Sequence, residues 1–128
     1  MTNYDTSDIE SAFISIVKTA GVSANVYPNR PKSTVKSQDF VVVRLGTGVE
    51  DLAAYGTCRV RIYLYARDVE NIKNSTKLGL MYDALIGNMP AQSGRYMIDP
   101  NPTISPDLAD DYGFHARTIT FRVTIKVQ

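Results

Sequence analysis

Along residues 57–66, every second position from Cys58 to Leu64 is apolar, with Arg59, Arg61 and Tyr63 between them and Tyr65 following. That period of two predicts a half-buried strand with Cys58, Val60, Ile62 and Leu64 on one face. Arg67-Asp68 breaks the alternation. Leu78, Met81, Tyr82, Leu85, Ile86 and Met89 then follow at the spacing of a single helical stripe. A strand with one apolar face, followed by a helix with one apolar stripe, predicts a helix lying back on its own sheet. Near the other end, Ile119, Phe121, Val123, Ile125 and Val127 alternate with Thr118, Thr120, Arg122, Thr124 and Lys126. This second strand is as cleanly two-periodic as the first, and the two are expected to pair.

The remaining segments add a helix and shorter strands. Ser7-Asp8-Ile9-Glu10 has the capping-box pattern, with Ser7 as the expected cap and Glu10 reaching back. Ile9, Ala12, Phe13, Ile16, Val17 and Ala20 form its apolar stripe, and Gly21 supplies a left-handed stop. A short strand is expected over residues 22–27, ended by Pro28-Asn29-Arg30-Pro31, and the polar residues 32–38 read as a loop. Phe40-Val41-Val42-Val43-Arg44-Leu45 is rich enough in β-formers for a strand covered on both faces. Gly46-Thr47-Gly48 ends it. Residues 49–55 then connect it to the long strand as an antiparallel hairpin. Gly87-Asn88-Met89-Pro90 stops the second helix, and Arg95-Tyr96-Met97-Ile98 reads as another short strand. Pro100, Pro102 and Pro106 are expected to keep the next segment irregular, and Asp107, Asp110 and Asp111 make it acidic. The order predicts an α+β fold: a mostly antiparallel mixed sheet with two amphipathic helices packed on one face, in a single domain of 128 residues.

Composition narrows the class. A chain of this length buries roughly two-thirds of its unfolded surface, enough for a core without staples. The net charge of +1 gives no whole-chain electrostatic reason to expect nucleic acid. Cys58 is the only cysteine, so an intrachain disulfide is impossible. Residues 1–10 lack the basic-then-apolar pattern of a secretory signal, and no apolar run approaches the ~20 residues of a membrane span. The expectation is a soluble chain, intracellular when made, not exported by a cleaved signal and with no membrane partner.

Candidate chemistry is sparse. His115 is the only histidine, so a Cys58–His115 dyad would be the sole thiol–imidazole arrangement available. Cys58 is predicted to face the core, which argues against an accessible thiolate. One histidine and one cysteine cannot make a zinc site. Asp107, Asp110 and Asp111 lack the spacing of a calcium loop, and a solvated acidic loop accounts for them better. Gly46-Thr47-Gly48 lacks the lysine and the following helix of a phosphate loop. No catalytic, metal or cofactor residue is assigned, and the chain is expected not to be an enzyme.

The polar side of the long strand is the most informative surface. Arg59, Arg61, Tyr63 and Tyr65 project from it, with Arg122 and Lys126 as candidate neighbours. Three readings fit: a half-wet sheet face with cross-strand pairs, a protein interface, or a single-strand nucleic-acid platform.

The same segment order resembles the tail terminator (tail completion) proteins of long-tailed bacteriophages. The resemblance covers residues 7–127. It is carried by the first helix followed by Val26-Tyr27-Pro28-Asn29-Arg30-Pro31, and by Gln38-Asp39-Phe40 leading into the valine-rich strand. The long 58–66 strand, the second helix and Asp110-Asp111-Tyr112 before the last strand complete it. Residues 91–94 and 100–106 depart from the pattern. The resemblance implies a non-enzymatic virion assembly protein at the tail–head junction. It would form a six-fold homo-oligomeric ring that caps the tail tube and meets the head connector. Tail tube and connector proteins are its implied partners, with no sequence-specific nucleic-acid binding. Arg30, Arg59, Arg61, Tyr63, Tyr65 and Arg122 form the candidate subunit or partner interface. Without the resemblance, the residues leave room for a small cytosolic α+β ligand-binding or enzymatic domain, dimeric, with His115 and Tyr63 in a pocket.

Overall fold

The two long alternating segments form the centre of the sheet, as a strand from Tyr55–Arg67 (β4) and another from Phe114–Lys126 (β9). A computed structural model describes residues 4–22, 24–28, 39–110 and 112–126 of the chain. β4 and β9 pair antiparallel along their whole length, from Tyr55 opposite Lys126 to Arg67 opposite Phe114. Each is flanked on its other side by short strands laid end to end. Phe40–Leu45 (β2) and Glu50–Asp51 (β3) pair with β4. Tyr96–Ile98 (β6), Thr103–Ile104 (β7) and Leu108–Ala109 (β8) pair with β9. Asn25–Tyr27 (β1) adds to β2 in parallel and Gln92–Ser93 (β5) adds to β6, so the sheet is mixed but mostly antiparallel. With the helices Thr6–Thr19 (α1) and Ser75–Asn88 (α2), the fold is α+β.

The alternation decides which side becomes core. Cys58, Val60, Ile62, Leu64 and Ala66 of β4 are buried, and Ile119, Phe121, Val123 and Ile125 of β9 lie beside them. α1 covers this face with Ile9, Phe13, Ile16 and Val17, and α2 with Leu78, Met81 and Leu85. Tyr82, Ile86 and Met89 pack at the margin of the same core. Phe13 meets Tyr96 edge-on at 5.5 Å between ring centroids. Asn88, the last residue of α2, donates from Nδ2 to the carbonyls of Ala20 (3.1 Å) and Ala84 (2.8 Å), tying the ends of the two helices together.

Several local expectations are corrected. α1 begins one residue before Ser7, and its cap is Asp5, whose carboxylate accepts from the backbone N–H groups of Ser7 (2.8 Å) and Asp8 (3.4 Å). Glu10 does not reach back. Its Oε2 accepts from the N–H of Leu45 at 3.0 Å, because Glu10 lies one turn into the helix and faces the end of β2. Gly21 does adopt a left-handed φ of 76° after the helix. The first strand is three residues rather than six. Residues 49–55 are not a bare connection, since β3 lies within them. Residues 100–106 hold β7, and β8 follows, because β9 offers each a stretch of ladder that prolines on either side do not block. Asn29, Arg30, Pro31, the 32–38 loop, Asp111 and Val127 lie outside the described residues.

Two substitutions gauge these contacts in urea denaturation. Leu64→Ala, at a fully buried site, is expected to lower stability by about 2–5 kcal/mol. Glu10→Ala, which leaves the Leu45 N–H without its acceptor, is expected to cost about 1–2 kcal/mol.

Candidate functional site

The residues of β4 that alternate with the core set point away from the helices, and strand register places partners beside each one. On this face Arg59 sits opposite Arg122, Arg61 opposite Thr120, Tyr63 opposite Thr118, and Tyr65 opposite Ala116. From β2, Arg44 lies opposite Arg61, Val42 opposite Tyr63, and Phe40 opposite Tyr65. The face therefore divides into two halves of different chemistry.

One half is aromatic. Phe40 stacks on Tyr65 at 4.5 Å with the rings 17° from parallel, and meets Phe114 edge-on at 5.2 Å. Tyr63 stacks on Tyr65 in turn at 6.4 Å. Phe40, Val42 and Phe114 are buried, with Tyr27, Tyr63 and Tyr65 packed against them. This is a second, smaller core, and it explains why the 40–45 run reads as covered on both faces. Tyr63 and Tyr65 belong to this packing and are only half-exposed, so they do not stand free as a stacking platform.

The other half is basic. Arg44, Arg59, Arg61 and Arg122 are all exposed, and among the described residues none of them pairs with a carboxylate. Cross-strand neighbours lie roughly 5 Å apart between Cα atoms, so the four guanidinium groups share one patch. Arg59, Arg61 and Arg122 border a depression of about 350 Å³ that Thr47, Thr103, Thr120, Asn101 and one carboxylate, Asp99, also line. Asp99 accepts from the Asn101 N–H at 2.9 Å and makes no ion pair with the arginines. Gly46 leaves room for Arg61: a methyl group there would come within 2.8 Å of its Nε and 2.9 Å of its Cγ. Thr47 Oγ1 accepts from the Arg59 N–H at 3.1 Å, fixing the Gly46-Thr47-Gly48 turn against the strand as a hairpin would.

Of the six residues expected at an interface, Arg59, Arg61 and Arg122 come together. Tyr63 and Tyr65 join the aromatic half, and Arg30 lies outside the described residues. Lys126 pairs with Tyr55, farther along the ladder from the arginines. The sequence reading missed Arg44, although Phe40, Val42 and Arg44 already alternate. The unbroken Val41-Val42-Val43 run hid that alternation.

The other candidate groups are held apart. Cys58 pairs with Val123 and His115 with Ala66, eight steps along the ladder and roughly 27 Å apart. Burial pushes the Cys58 thiol up to about 11. Tyr63 and His115 fall on opposite faces, so they do not converge on one pocket. His115 lies on the helix side, where its Nδ1 sits 2.6 Å from Asp68 Oδ1. Beside it, Arg117 donates to both carboxylate oxygens of Asp107, from Nε at 2.7 Å and Nη2 at 3.0 Å. Lys73 reaches the same carboxylate at 3.2 Å, and Arg117 lies over the ring of Tyr82. Asp110 accepts from the N–H groups of Tyr112 and Phe114. The acidic segment thus spends these two carboxylates on its own chain. No three His, Cys, Asp or Glu side chains among the described residues are placed to share a metal ion.

Hydrogen bonds from Arg117 hold the Asp107 carboxyl below its ordinary value. A carboxyl lowered on folding adds stability above its unfolded pKa of about 4, and that stability is lost as pH falls through the folded value. Urea midpoints measured from pH 6 down to 2 are expected to fall more steeply for the wild type than for Asp107→Asn. That variant is expected to cost about 1.5 kcal/mol at neutral pH. Cys58 is expected to resist a water-soluble aromatic disulfide at pH 8 and to react at once in denaturant, as followed by absorbance. No family model matches this sequence, and no curated protein matches it.

Proposed function

We propose that this chain is a non-enzymatic assembly protein of the tail terminator kind, a ring-forming protomer that caps a phage tail tube and meets the head connector. The support is the resemblance in segment order, now joined by one observation: an exposed sheet face whose clustered arginines have no carboxylate partner among the described residues. A fold whose helices cover one face and whose opposite face carries unmatched charge is suited to building contacts with other chains. In this reading the protein works within the virion after being made in the bacterial cytoplasm, and its task is binding rather than chemistry.

Mass in solution tests this directly. Light scattering over a wide range of protein and salt concentration is expected to show a species six times the 14.2 kDa chain mass, or a monomer–ring equilibrium. Chains that stay monomeric in dilute solution are expected to form the ring when mixed with tail tubes. A fixed dimer at every concentration, or a monomer that ignores tail tubes, would overturn the proposal.

A further inference from the structure

The arginine half of the sheet face contains two pairs of like charges directly opposed across strands, Arg44 with Arg61 and Arg59 with Arg122. Opposed like charges destabilise a sheet, and here no described carboxylate makes an ion pair with them. Asp99 and Glu50 border the patch, two carboxylates against four guanidinium groups, and Asp99 is turned to the Asn101 N–H. The free protein thus carries a standing repulsion that an anionic partner would relieve. We infer that this half of the face docks a carboxylate-bearing segment of a different protein, whose Asp or Glu side chains are taken by the guanidinium forks. Arginine suits that role, because its planar donors match a carboxylate two bonds at a time.

Three observations select this occupant. A second copy of the chain has no matching acidic patch among its described residues. Only Asp8, Glu50, Glu70 and Asp83 there are left without a hydrogen bond or ion pair, and they lie on α1, β3, the turn after β4, and α2. Glu50 borders the basic face and still does not pair with it. Nucleic acid is disfavoured because Tyr63 and Tyr65 stack within the aromatic half, leaving bases without a free platform. The surroundings also favour protein. Exposed Tyr55 and Met97 flank the arginines, and Lys126 is the only described lysine on the face. Arginine, tyrosine and methionine are enriched at protein interfaces, and lysine is depleted. An extended acidic segment presents alternate side chains roughly every 7 Å, the spacing of Arg59 and Arg61 along β4. The inference stands on this charge pattern and holds or fails apart from ring assembly.

The test is calorimetric titration of the full chain at low salt with two probes, a ten-residue peptide alternating glutamate and serine and an oligothymidylate of equal charge. The peptide is expected to bind more tightly than the oligonucleotide, and its affinity to fall about tenfold or more in Arg59→Thr/Arg122→Thr. The thermal midpoint of that free variant is expected to rise by about 2–4 °C, because the repulsion is gone. Arg61→Thr alone reads the same patch should the double variant fail to fold. Tighter binding of the oligonucleotide, an affinity for peptide unchanged by the substitutions, or no peptide binding at all would overturn the inference. A thermal midpoint lowered by the substitutions would overturn the repulsion on which it rests.

Discussion

The ladder between β4 and β9 is the constraint on which the rest of the structure depends. Its thirteen pairs run without a bulge from Tyr55–Lys126 to Arg67–Phe114. Because side chains alternate, a slip of one residue would exchange the two faces completely. It would bring Arg59, Arg61 and Tyr63 under the helices and leave Val60 and Ile62 in water. The register is therefore fixed by the burial of Cys58, Val60, Ile62 and Leu64 against α1 and α2, and the same register groups the arginines. Core and candidate surface are two outcomes of one pairing.

The strong periodicities made much of this legible. Two strands and two helices could be placed because each carries a run of apolar positions at a single period. The pairing of the long strands and the 40–45 hairpin followed from matching faces. Strands of two residues are too short to have a period, and β3, β5, β7 and β8 exist because a longer neighbour presents them with open hydrogen-bonding groups. The helix start was misplaced because both Asp5 and Ser7 are good caps. What decided between them was the tertiary bond from Glu10 to the Leu45 N–H, which removes Glu10 from the capping box.

The candidate site was half legible for a related reason. Arg59 and Arg61 declare their face through their own strand's alternation. That they meet Arg122 and Arg44 depends on register, which lies beyond local pattern. The aromatic half was misread for the opposite reason. Tyr63 and Tyr65 occupy outward positions, but Phe40 and Phe114 arrive from the neighbouring strands and turn an expected open surface into packed rings. The polar group on the helix side, built on Asp107, Arg117 and His115, is a further product of register. There Arg117 and Lys73 share the Asp107 carboxylate, and His115 faces Asp68.

The position of β9 in the chain has a consequence for how the protein reaches this structure. β6, β7 and β8 precede β9 in sequence, yet each pairs with it, as does β4. None of these pairings can form as the chain emerges in order, until the segment after Phe114 has been made. The contacts that matter most are thus among the most distant in sequence, and loop closure must come before they contribute. During synthesis β4 would wait with one edge open, its other edge paired with β2. Folding of this chain should accordingly be slow for its size and completed late, with α1, β1 and β2 free to organise well before the sheet has its second half.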